Sequence, residues 1–246
     1  MELKKVLINT ATALIPAAVK RNIIVNSEPS DTVIYSQEGE DKLLERFIGT
    51  KKYGIYVDVG AHHPTELSNT YFFYKKGWRG INIDAMPGSM KLFDEQRPYD
   101  INIECAIYNE SLDLNYHIFN SSELNTFEES NVARFLKFPG IKLLETRRLK
   151  TVSLKETLDI HLPTLGTTEI DFMTVDVEGL DLNVLRSNDW DTYRPKIVLA
   201  EDLFSDLMAS YNGELNAFMM SVGYTMKAKT FNTVFFQRND SFNSND

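Results

Sequence analysis

The sequence contains one cysteine, Cys105, among its 246 residues. A single thiol cannot close an internal disulfide, and the clustered cysteines of a structural zinc site are missing. A chain of this length can bury a sizeable core without either crosslink. We therefore expect a protein of a reducing, cytoplasmic setting. Because Cys105 lies in the mostly apolar run 103–107, we expect its thiol to be buried and unreactive.

Positive charge is also scarce, since 26 Lys and Arg residues stand against 35 Asp and Glu residues and the net charge is −9. A protein that binds nucleic acid needs a basic surface to replace the counterions of the phosphates. Short basic clusters such as Arg147-Arg148 are interpreted as solvated surface charge. We therefore expect no nucleic-acid partner.

No apolar run is long enough to predict a transmembrane helix. The stretch 1–21 has the rough outline of a signal peptide, but polar residues and a proline interrupt its apolar part. We predict instead an amphipathic helical arm over residues 1–34. It is expected to pack on the domain, on the second subunit of a homodimer, or weakly on a membrane surface. A polar, disordered tail is predicted over residues 241–246.

Short apolar runs alternate with helical patterns through most of the remaining chain, which indicates one α/β domain over residues 35–240. The order predicts a doubly wound, mostly parallel sheet with helices on both faces and a closing antiparallel pair. An edge-like strand is predicted at 112–119 and a single long helix at 207–222. The other predicted strands cover residues 53–59, 80–83, 100–108, 149–153, 170–175, 196–200, 224–229 and 233–237.

Acidic residues end most of the predicted parallel strands. In doubly wound sheets, ligands bind beyond the carboxyl ends of the strands, so these residues are the first candidates for a site. They fall in five short segments, which are Asp58–Ala61, Asp84, Glu104–Ala106, Asp176–Gly179 and Glu201-Asp202.

The turn after the first strand lacks the glycines of a phosphate-binding loop. Of the three glycines in G-x-G-x-x-G, the segment from Gly60 to Thr65 keeps the first. Asp84 follows Gly60 by about 24 residues, close to the ~20-residue spacing at which an acidic residue binds a ribose. An adenosine compound without phosphates suits both features. S-adenosylmethionine is such a compound, and its sulfonium and ammonium groups favour an acidic site.

The chain resembles the FkbM-type methyltransferases over residues 35–236. The resemblance rests on the segments 36–41, 56–64, 68–70, 76–84, 171–179 and 195–201, which read SQEGED, YVDVGAHHP, SNT, KGWRGINID, DFMTVDVEG and PKIVLAE. It implies a Rossmann-like class I methyltransferase fold and O-methylation, often of sugars or of polyketide-type hydroxyls. Family members often have Glu at the position of Asp84.

The resemblance also implies where S-adenosylmethionine binds. Asp58 and Gly60 would line its methionine end, Asp84 would hold the ribose, and Glu104 to Ala106 would pass near the adenine. The segment that includes Gln37 and Glu40 would shape the pocket, although a helix start also explains its acids. The implied cofactor-binding set is completed by Asp176.

Methyl transfer to a hydroxyl requires alignment of the two partners and removal of the acceptor's proton. His63, Asp176 and Glu201 are the candidate catalytic residues. His62 and His63 follow the first strand, and His63 is preferred as the base because Pro64 should fix its direction. The alternative is a pair of loop histidines that orient the backbone or contact solvent.

A second group of candidates would bind the acceptor or a metal ion. His62, His63, Asn69 and Glu178 are the candidate substrate-binding residues, and Asn69 is equally suited to cap a helix. Acceptor specificity is expected in the segment 120–142. Asp176, Glu201 and Asp202 end adjacent strands and could hold Mg²⁺, which prefers oxygen ligands. The alternative is that Asp176 and Glu201 bind helix-start amides or the cofactor's ammonium group.

These features predict an S-adenosylmethionine-dependent O-methyltransferase that acts on a small, sugar-like or glycan acceptor, with Mg²⁺ as a candidate second cofactor. One alternative is a nicotinamide-dependent oxidoreductase, against which the missing glycines argue. The other is a non-catalytic binding protein on the same fold, against which the acids at the strand ends argue.

Overall fold

The computed structural model describes residues 33–203 and 206–241 of the chain. The predicted N-terminal arm over residues 1–34, except for Val33 and Ile34, and the predicted tail after Ser241 lie outside the described residues. Among the helices that are described, none is long and apolar enough to cross a membrane.

Ten strands and two sheets form the β-structure of the described residues. The strands are β1 (Ile55–Val59), β2 (Arg79–Asp84), β3 (Ile101–Glu104), β4 (Ala106–Ile107), β5 (Asp113–Phe119), β6 (Leu143–Val152), β7 (Phe172–Val175), β8 (Ile197–Glu201), β9 (Tyr224–Lys229) and β10 (Thr233–Arg238).

The main sheet has seven strands in the order β3-β2-β1-β7-β8-β10-β9. Neighbours from β3 to β8 are parallel, whereas β10 runs antiparallel to both β8 and β9. The chain order reverses at the contact between β1 and β7, where a doubly wound sheet opens a crevice for a ligand. This arrangement confirms the predicted mostly parallel sheet, its closing antiparallel pair and the Rossmann-like methyltransferase fold.

Eight α-helices accompany the strands in the described residues. They are α1 (Glu40–Ile48), α2 (Tyr71–Lys75), α3 (Met90–Gln96), α4 (Glu129–Phe135), α5 (Leu154–His161), α6 (Asp181–Arg186), α7 (Leu207–Asn212) and α8 (Glu214–Ser221). The prediction of one helix over 207–222 is wrong, because Gly213 adopts an extended conformation (ψ 165°) that ends α7 and begins α8. Glycine is a poor residue for a helix interior, which explains the break.

Side chains from both faces of the main sheet are buried. On one face, Val57 and Ile81 pack with Leu158 and Val184, and on the other, Tyr56 packs with the aromatic group around Trp78. Because alternate residues of a strand point to opposite faces, a parallel strand that is covered on both sides is a continuous apolar run. Because both of their faces are buried, the strands β1, β2, β7 and β8 could be predicted from the sequence.

A separate three-stranded sheet, in the order β4-β6-β5, stands beside the main sheet. The predicted strand 100–108 is therefore wrong as one element, since it divides at Cys105 into β3 of the main sheet and β4 of the small sheet. The predicted strand 112–119 belongs to the small sheet as β5, and β6 begins at Leu143, well before the predicted 149. We call residues 113–152 the cap.

Candidate active site

A cavity of about 360 Å³ lies at the carboxyl ends of the parallel strands, with residues of the cap in its wall. Several predicted residues line it together. From the predicted cofactor set these are Gln37, Asp58, Gly60, Asp84 and Asp176. From the predicted catalytic and substrate sets they are His62, Asn69, Glu178 and Glu201.

Gly60 allows the loops after β1 and β7 to meet at the base of this cavity. Its φ is +84°, and a Cβ atom added there would lie 1.7 Å from the carbonyl oxygen of Asp176. The amides of Gly60 and Ala61 both donate to the carbonyl oxygen of Ile83, at 2.9 and 3.0 Å. These bonds join the loop after β1 to the end of β2. The positive φ and the close approach of the Asp176 carbonyl oxygen together require glycine at position 60.

Asp58 is a buried carboxylate that is held from behind by a hydroxyl. The Oγ1 of Thr70 donates to its Oδ2 at 2.7 Å, and Thr70 in turn accepts from both terminal nitrogens of Arg97 at 3.0 and 3.1 Å. Burial raises the pKa of Asp58 to about 6, although the Thr70 hydrogen bond and the Arg97 charge act in the opposite direction. A cation in the cavity would favour the ionised form.

Arg97 is itself fully buried and is paired beneath the site. Its Nε donates to Asp100 at 2.9 Å, and one of its terminal nitrogens donates to the hydroxyl of Tyr56 at 2.6 Å. The Tyr56 hydroxyl donates to Asp100 at 2.6 Å, so each polar group of this cluster has a partner. Sequence reasoning missed the cluster because nothing in the local pattern shows that the charged residues of the loop before β3 are buried.

Asp84 fixes the backbone of the loop after β1 while it faces the cavity. Its Oδ2 accepts from the amide of His62 at 2.9 Å, and its Oδ1 accepts from the amide of Met86 at 2.7 Å. Burial raises the pKa of this carboxyl and the two amides lower it. Each oxygen keeps a second lone pair for a ligand hydroxyl.

The two histidines of this loop have different positions. His62 lines the cavity, and its Nε2 lies 3.0 Å from the hydroxyl of Ser122 in the cap. His63 does not line the cavity, and its Nδ1 accepts from the amides of Thr65 and Glu66 at 3.3 and 3.0 Å. Of the two candidates, His62 is thus the one that faces the cavity. The contacts of His63 match the alternative of a histidine that orients the loop.

Asp176, Glu178 and Glu201 form a carboxylate cluster on the β7 and β8 side of the cavity. Each offers an oxygen atom within 4.8 Å of the others. Burial and the charge of Asp176 raise the pKa of both Glu178 and Glu201. Asp176 is itself an exposed residue at the open cavity, and desolvation of its carboxyl by the surrounding protein and the neighbouring charge of Asp58 raise its pKa. Like charges this close favour protonation or a bound cation.

Asp202 does not join this cluster, in contrast to the predicted metal set. It does not line the cavity; its amide donates to the carbonyl oxygen of Asn232 at 2.7 Å, and its own carbonyl oxygen accepts from Lys229 at 2.9 Å. Successive residues at a strand end point to opposite sides, so Glu201 and Asp202 do not reach one site. Glu178 occupies the place in the cluster that was predicted for Asp202.

Comparison with family models matches residues 58–226 to the methyltransferase FkbM domain. The chain belongs to the FkbM methyltransferase family. No curated protein matches its sequence. Among solved structures, it is similar to the methyltransferase FkbM from Methylobacillus flagellatus KT, with 11% identity, a TM-score of 0.48 and coverage of 82% of this chain. The chain spans about half of that protein, 48% of its length.

A second solved structure is PH1948 from Pyrococcus horikoshii, a provisionally assigned RNA methyltransferase. It is 9% identical, has a TM-score of 0.42, and the match covers 93% of this chain and 99% of the other.

Asp181 is a further carboxyl near the cavity that the sequence analysis did not single out. It lies 6% exposed in the first turn of α6, and its Oδ2 accepts from the amide of Gly179 at 3.3 Å. Its Oδ1 is buried and has no hydrogen-bond partner within the described residues. Burial and the charge of Asp176 raise its pKa. An acid at the start of a helix is ordinarily explained by the helix dipole. The position of Asp181 in the sequence therefore did not indicate that it lies beside the cluster.

The cap of this FkbM-family chain is attached to the loop after β7. Thr126 Oγ1 and Asn131 Nδ2 both donate to the carbonyl oxygen of Glu178, at 3.1 and 2.8 Å. Glu178 has a φ of +54°, as do His62 and Leu67, and these are the three non-glycine residues with positive φ in the described part of the chain. All three line the cavity, and such strain concentrates at functional sites.

Apolar cap residues form much of the wall opposite the strand ends. The rings of Tyr116 and Phe127 are in contact, tilted by 40° with centroids 4.6 Å apart, and Leu124 and Phe135 also line the cavity. Arg134 lines it as well, and its charge opposes the rise in pKa of Glu178 and Glu201. Except for Tyr116, these residues fall in the segment 120–142, in which acceptor specificity is expected.

Ala106 and Glu40 lie beside the cavity rather than in its wall. Ala106 is buried, whereas its neighbours Cys105 and Ile107 line the cavity. Glu40 lines a small adjacent pocket, where its Oε1 accepts from Thr230 at 3.1 Å.

Asn69 and Cys105 are cavity residues with roles that differ from part of the predictions. Asn69 donates to Thr174 at 2.9 Å and does not cap α2, whose N-cap residue is Thr70. Cys105 is half-buried and faces the cavity, so the expectation of a fully buried thiol is wrong. Burial raises the pKa of Cys105 to about 11, so the thiol stays protonated.

Proposed function

We propose that this FkbM methyltransferase uses S-adenosylmethionine to methylate a hydroxyl of a sugar or glycan-like acceptor. The observation that carries the proposal is the convergence of Asp58, Asp84 and Asp176 on one cavity at the switch point of the sheet. Membership in a methyltransferase family also favours this function over an oxidoreductase or a non-catalytic binding protein.

The residues of the cavity fit the chemistry of S-adenosylmethionine. Asp58 and Asp176 are carboxylates whose ionised forms a sulfonium or ammonium group would stabilise. Asp84 has oxygen lone pairs available for the ribose hydroxyls, and Cys105 and Ile107 supply an apolar wall for the adenine. When bound, the cofactor supplies a methyl group on a sulfonium, which is a good leaving group.

The acceptor side has to orient a hydroxyl and receive its proton. His62 lines the cavity and is the group proposed to receive this proton. Carboxylates such as Glu178 accept hydrogen bonds from sugar hydroxyls, and the rings of Phe127 and Phe135 offer flat apolar surfaces to the carbon face of a sugar. This combination supports a hydroxyl-rich acceptor.

We propose Mg²⁺ as a second ligand, held by Asp176, Glu178 and Glu201. The oxygens of this cluster lie within 4.8 Å of one another, and carboxylate oxygens are ligands that Mg²⁺ takes. A divalent cation there would lower the pKa of a bound hydroxyl.

Isothermal titration calorimetry of the full chain with S-adenosylmethionine tests the proposed cofactor. We expect binding by the wild type and its loss in Asp58→Ala and in Asp84→Ala, because each variant removes a carboxylate from the cavity. Glu169→Ala removes an exposed carboxylate elsewhere and should leave binding unchanged. Absence of wild-type binding at millimolar cofactor would overturn the proposal.

A further inference from the structure

The outer part of the cap is a basic and apolar surface on an acidic protein. We define residues 136–150 as the cap tip. It contains five basic residues and a single acidic one, Glu145, although the whole chain has a net charge of −9. The basic residues, all exposed, are Lys137, Lys142, Arg147, Arg148 and Lys150.

Four large apolar side chains of the cap tip are also exposed to solvent. Their exposed fractions are 49% for Leu136, 48% for Phe138, 37% for Leu143 and 63% for Leu144. Single exposed apolar residues are common on protein surfaces, but a concentration of them in one basic segment calls for a binding partner.

The fold itself does not supply that partner among the described residues. From Leu143 to Lys150, β6 pairs with β5 along one edge, and β4 covers the other edge only at Thr151 and Val152. Basic residues on an open strand edge discourage edge-to-edge aggregation, which explains part of the charge. They do not explain the exposed leucines and Phe138.

We propose that the cap tip docks on the surface of an anionic lipid membrane. Surfaces that bind there combine apolar side chains, which enter the boundary between headgroups and acyl chains, with Lys and Arg that face the anionic headgroups. Alternate residues of β6 lie on the same face, so Leu144, Arg148 and Lys150 give one face of the cap tip both kinds of side chain, whereas Leu143 lies on the other face. Glu145 is the single acid of the cap tip and is paired with Arg147 at 2.6 Å, while Asp113 of β5 lies opposite Lys150.

Charge complementarity favours the membrane over a second copy of the chain. A symmetric dimer through the cap tip would place the same cations against one another, since a two-fold interface uses the same patch on both subunits. A soluble polyanion would satisfy the cations and leave the exposed leucines and Phe138 in water. An anionic membrane satisfies both sets of residues.

Docking in this way would set the cavity beside the lipid surface. Phe135 and Phe138 follow one another closely in the chain and both line the cavity, and Phe138 is also part of the cap tip. If the proposed methyltransferase function holds, the acceptor would then be one carried on a lipid. The docking surface itself does not depend on that function.

Co-sedimentation of the full chain with vesicles tests the proposal without cofactor or acceptor. We expect binding to vesicles that contain phosphatidylglycerol and little binding to phosphatidylcholine alone. Raising the salt from about 0.1 M to about 1 M shortens the Debye length from ~10 Å to ~3 Å and should weaken binding strongly. A wild type that ignores anionic vesicles would overturn the proposal, whatever its affinity for S-adenosylmethionine.

Two sets of variants assign the binding to the cap tip. Lys142→Glu with Arg148→Glu and Lys150→Glu should weaken binding about a hundredfold, since each cation near an anionic surface contributes ~1 kcal/mol. The matched control, Lys52→Glu with Lys91→Glu and Lys227→Glu, makes the same change in net charge at exposed lysines elsewhere and should bind much as the wild type does. Thermal melting confirms that both variants fold.

The apolar contribution is tested by Leu144→Ser, which should weaken binding about tenfold. Its control is Ile160→Ser, at a residue that is 66% exposed and lies outside the cap. Equal loss in the control and the cap-tip variants, or full binding in both, would overturn the proposal. Heparin binding as tight as vesicle binding and unaffected by the leucine substitution would also overturn it. So would a dimer, detected by sedimentation velocity, that this substitution dissociates.

Discussion

Asp58 is a buried carboxylate whose environment suits a cationic ligand. Burial raises its pKa, while the hydroxyl of Thr70 and the charge of Arg97 behind it favour the ionised form. The hydroxyl also fixes the direction of the carboxylate, because Thr70 donates to Oδ2 and accepts from Arg97. A residue outside the cavity wall therefore controls how Asp58 meets the ligand.

Thr70→Val should weaken S-adenosylmethionine binding about tenfold and lower the free energy of unfolding by about 1–3 kcal/mol, because it leaves buried polar groups without a partner. Thr70→Ser keeps the hydroxyl and should restore both. Calorimetry and chemical denaturation measure the two quantities. Thr167→Val, at a residue outside the cavity lining, is the control. Wild-type affinity in Thr70→Val would show that this hydroxyl does not position Asp58.

Glu201 and Asp202 are neighbours in sequence, but only a substitution of Glu201 is expected to affect metal binding. Mg²⁺ should raise the melting temperature of the wild type at neutral pH by relieving repulsion among Asp176, Glu178 and Glu201, and removal of the metal with EDTA should reverse the rise. Glu201→Gln should abolish the effect, and Asp202→Asn should retain it. An equal response of the two variants, or no response to millimolar Mg²⁺, contradicts the proposed site.

At the scale of elements, the close contact between the loops after β1 and β7 creates the base of the site. Gly60→Ala should lower the free energy of unfolding by roughly 2 kcal/mol or more and remove cofactor binding, because a Cβ there meets the backbone of Asp176. Gly140→Ala is a matched control, since Gly140 has a φ of +82° and no atom within 4 Å of an added Cβ. Denaturation curves that coincide for the two variants would contradict this account of the loop contact.

Four strands and their acidic ends could be predicted from sequence because burial on both faces leaves a continuous apolar run. Of the exposed strand β6, only the end was predicted, as the strand 149–153. Its first residues could not be, since they carry no burial pattern and the partner β5 lies beyond the segment 120–142. The membership of the cap in a separate sheet is likewise decided by pairing rather than by local propensity.

For the site, the sequence predicted which strand ends would meet but not which way the side chains would point. His62 rather than His63 lines the cavity, and Glu178 rather than Asp202 joins the carboxylate cluster. The buried group around Arg97 depends on contacts between distant segments, as its hydrogen bond to Thr70 shows. Such contacts cannot be predicted from the spacing of residues within one segment of the sequence.

On the scale of the whole molecule, acidic groups gathered at one end of the sheet make stability depend on pH. The folded state holds the proton of Asp58 up to about pH 6, whereas an unfolded chain releases it near the ordinary pKa of 3.8. The folded state thus binds more protons between these values, and stability falls as the pH rises through them.

We therefore expect the melting temperature without ligand to rise between pH 7 and pH 5, and the affinity for S-adenosylmethionine to fall over the same interval as Asp58 loses its charge. Asp58→Asn removes this titrating group, so the melting temperature of the variant should change less between pH 7 and pH 5 than that of the wild type. A wild-type melting temperature that drops steadily from pH 7 to pH 5 would contradict the proposed proton uptake.

The most direct measurement is a crystal structure of the full chain soaked with S-adenosylhomocysteine. We expect the ribose at Asp84, the amino-acid end near Asp58 and Asp176, and the adenine against Cys105 and Ile107. Density for the compound on any other surface, with this cavity filled by solvent alone, would contradict the account.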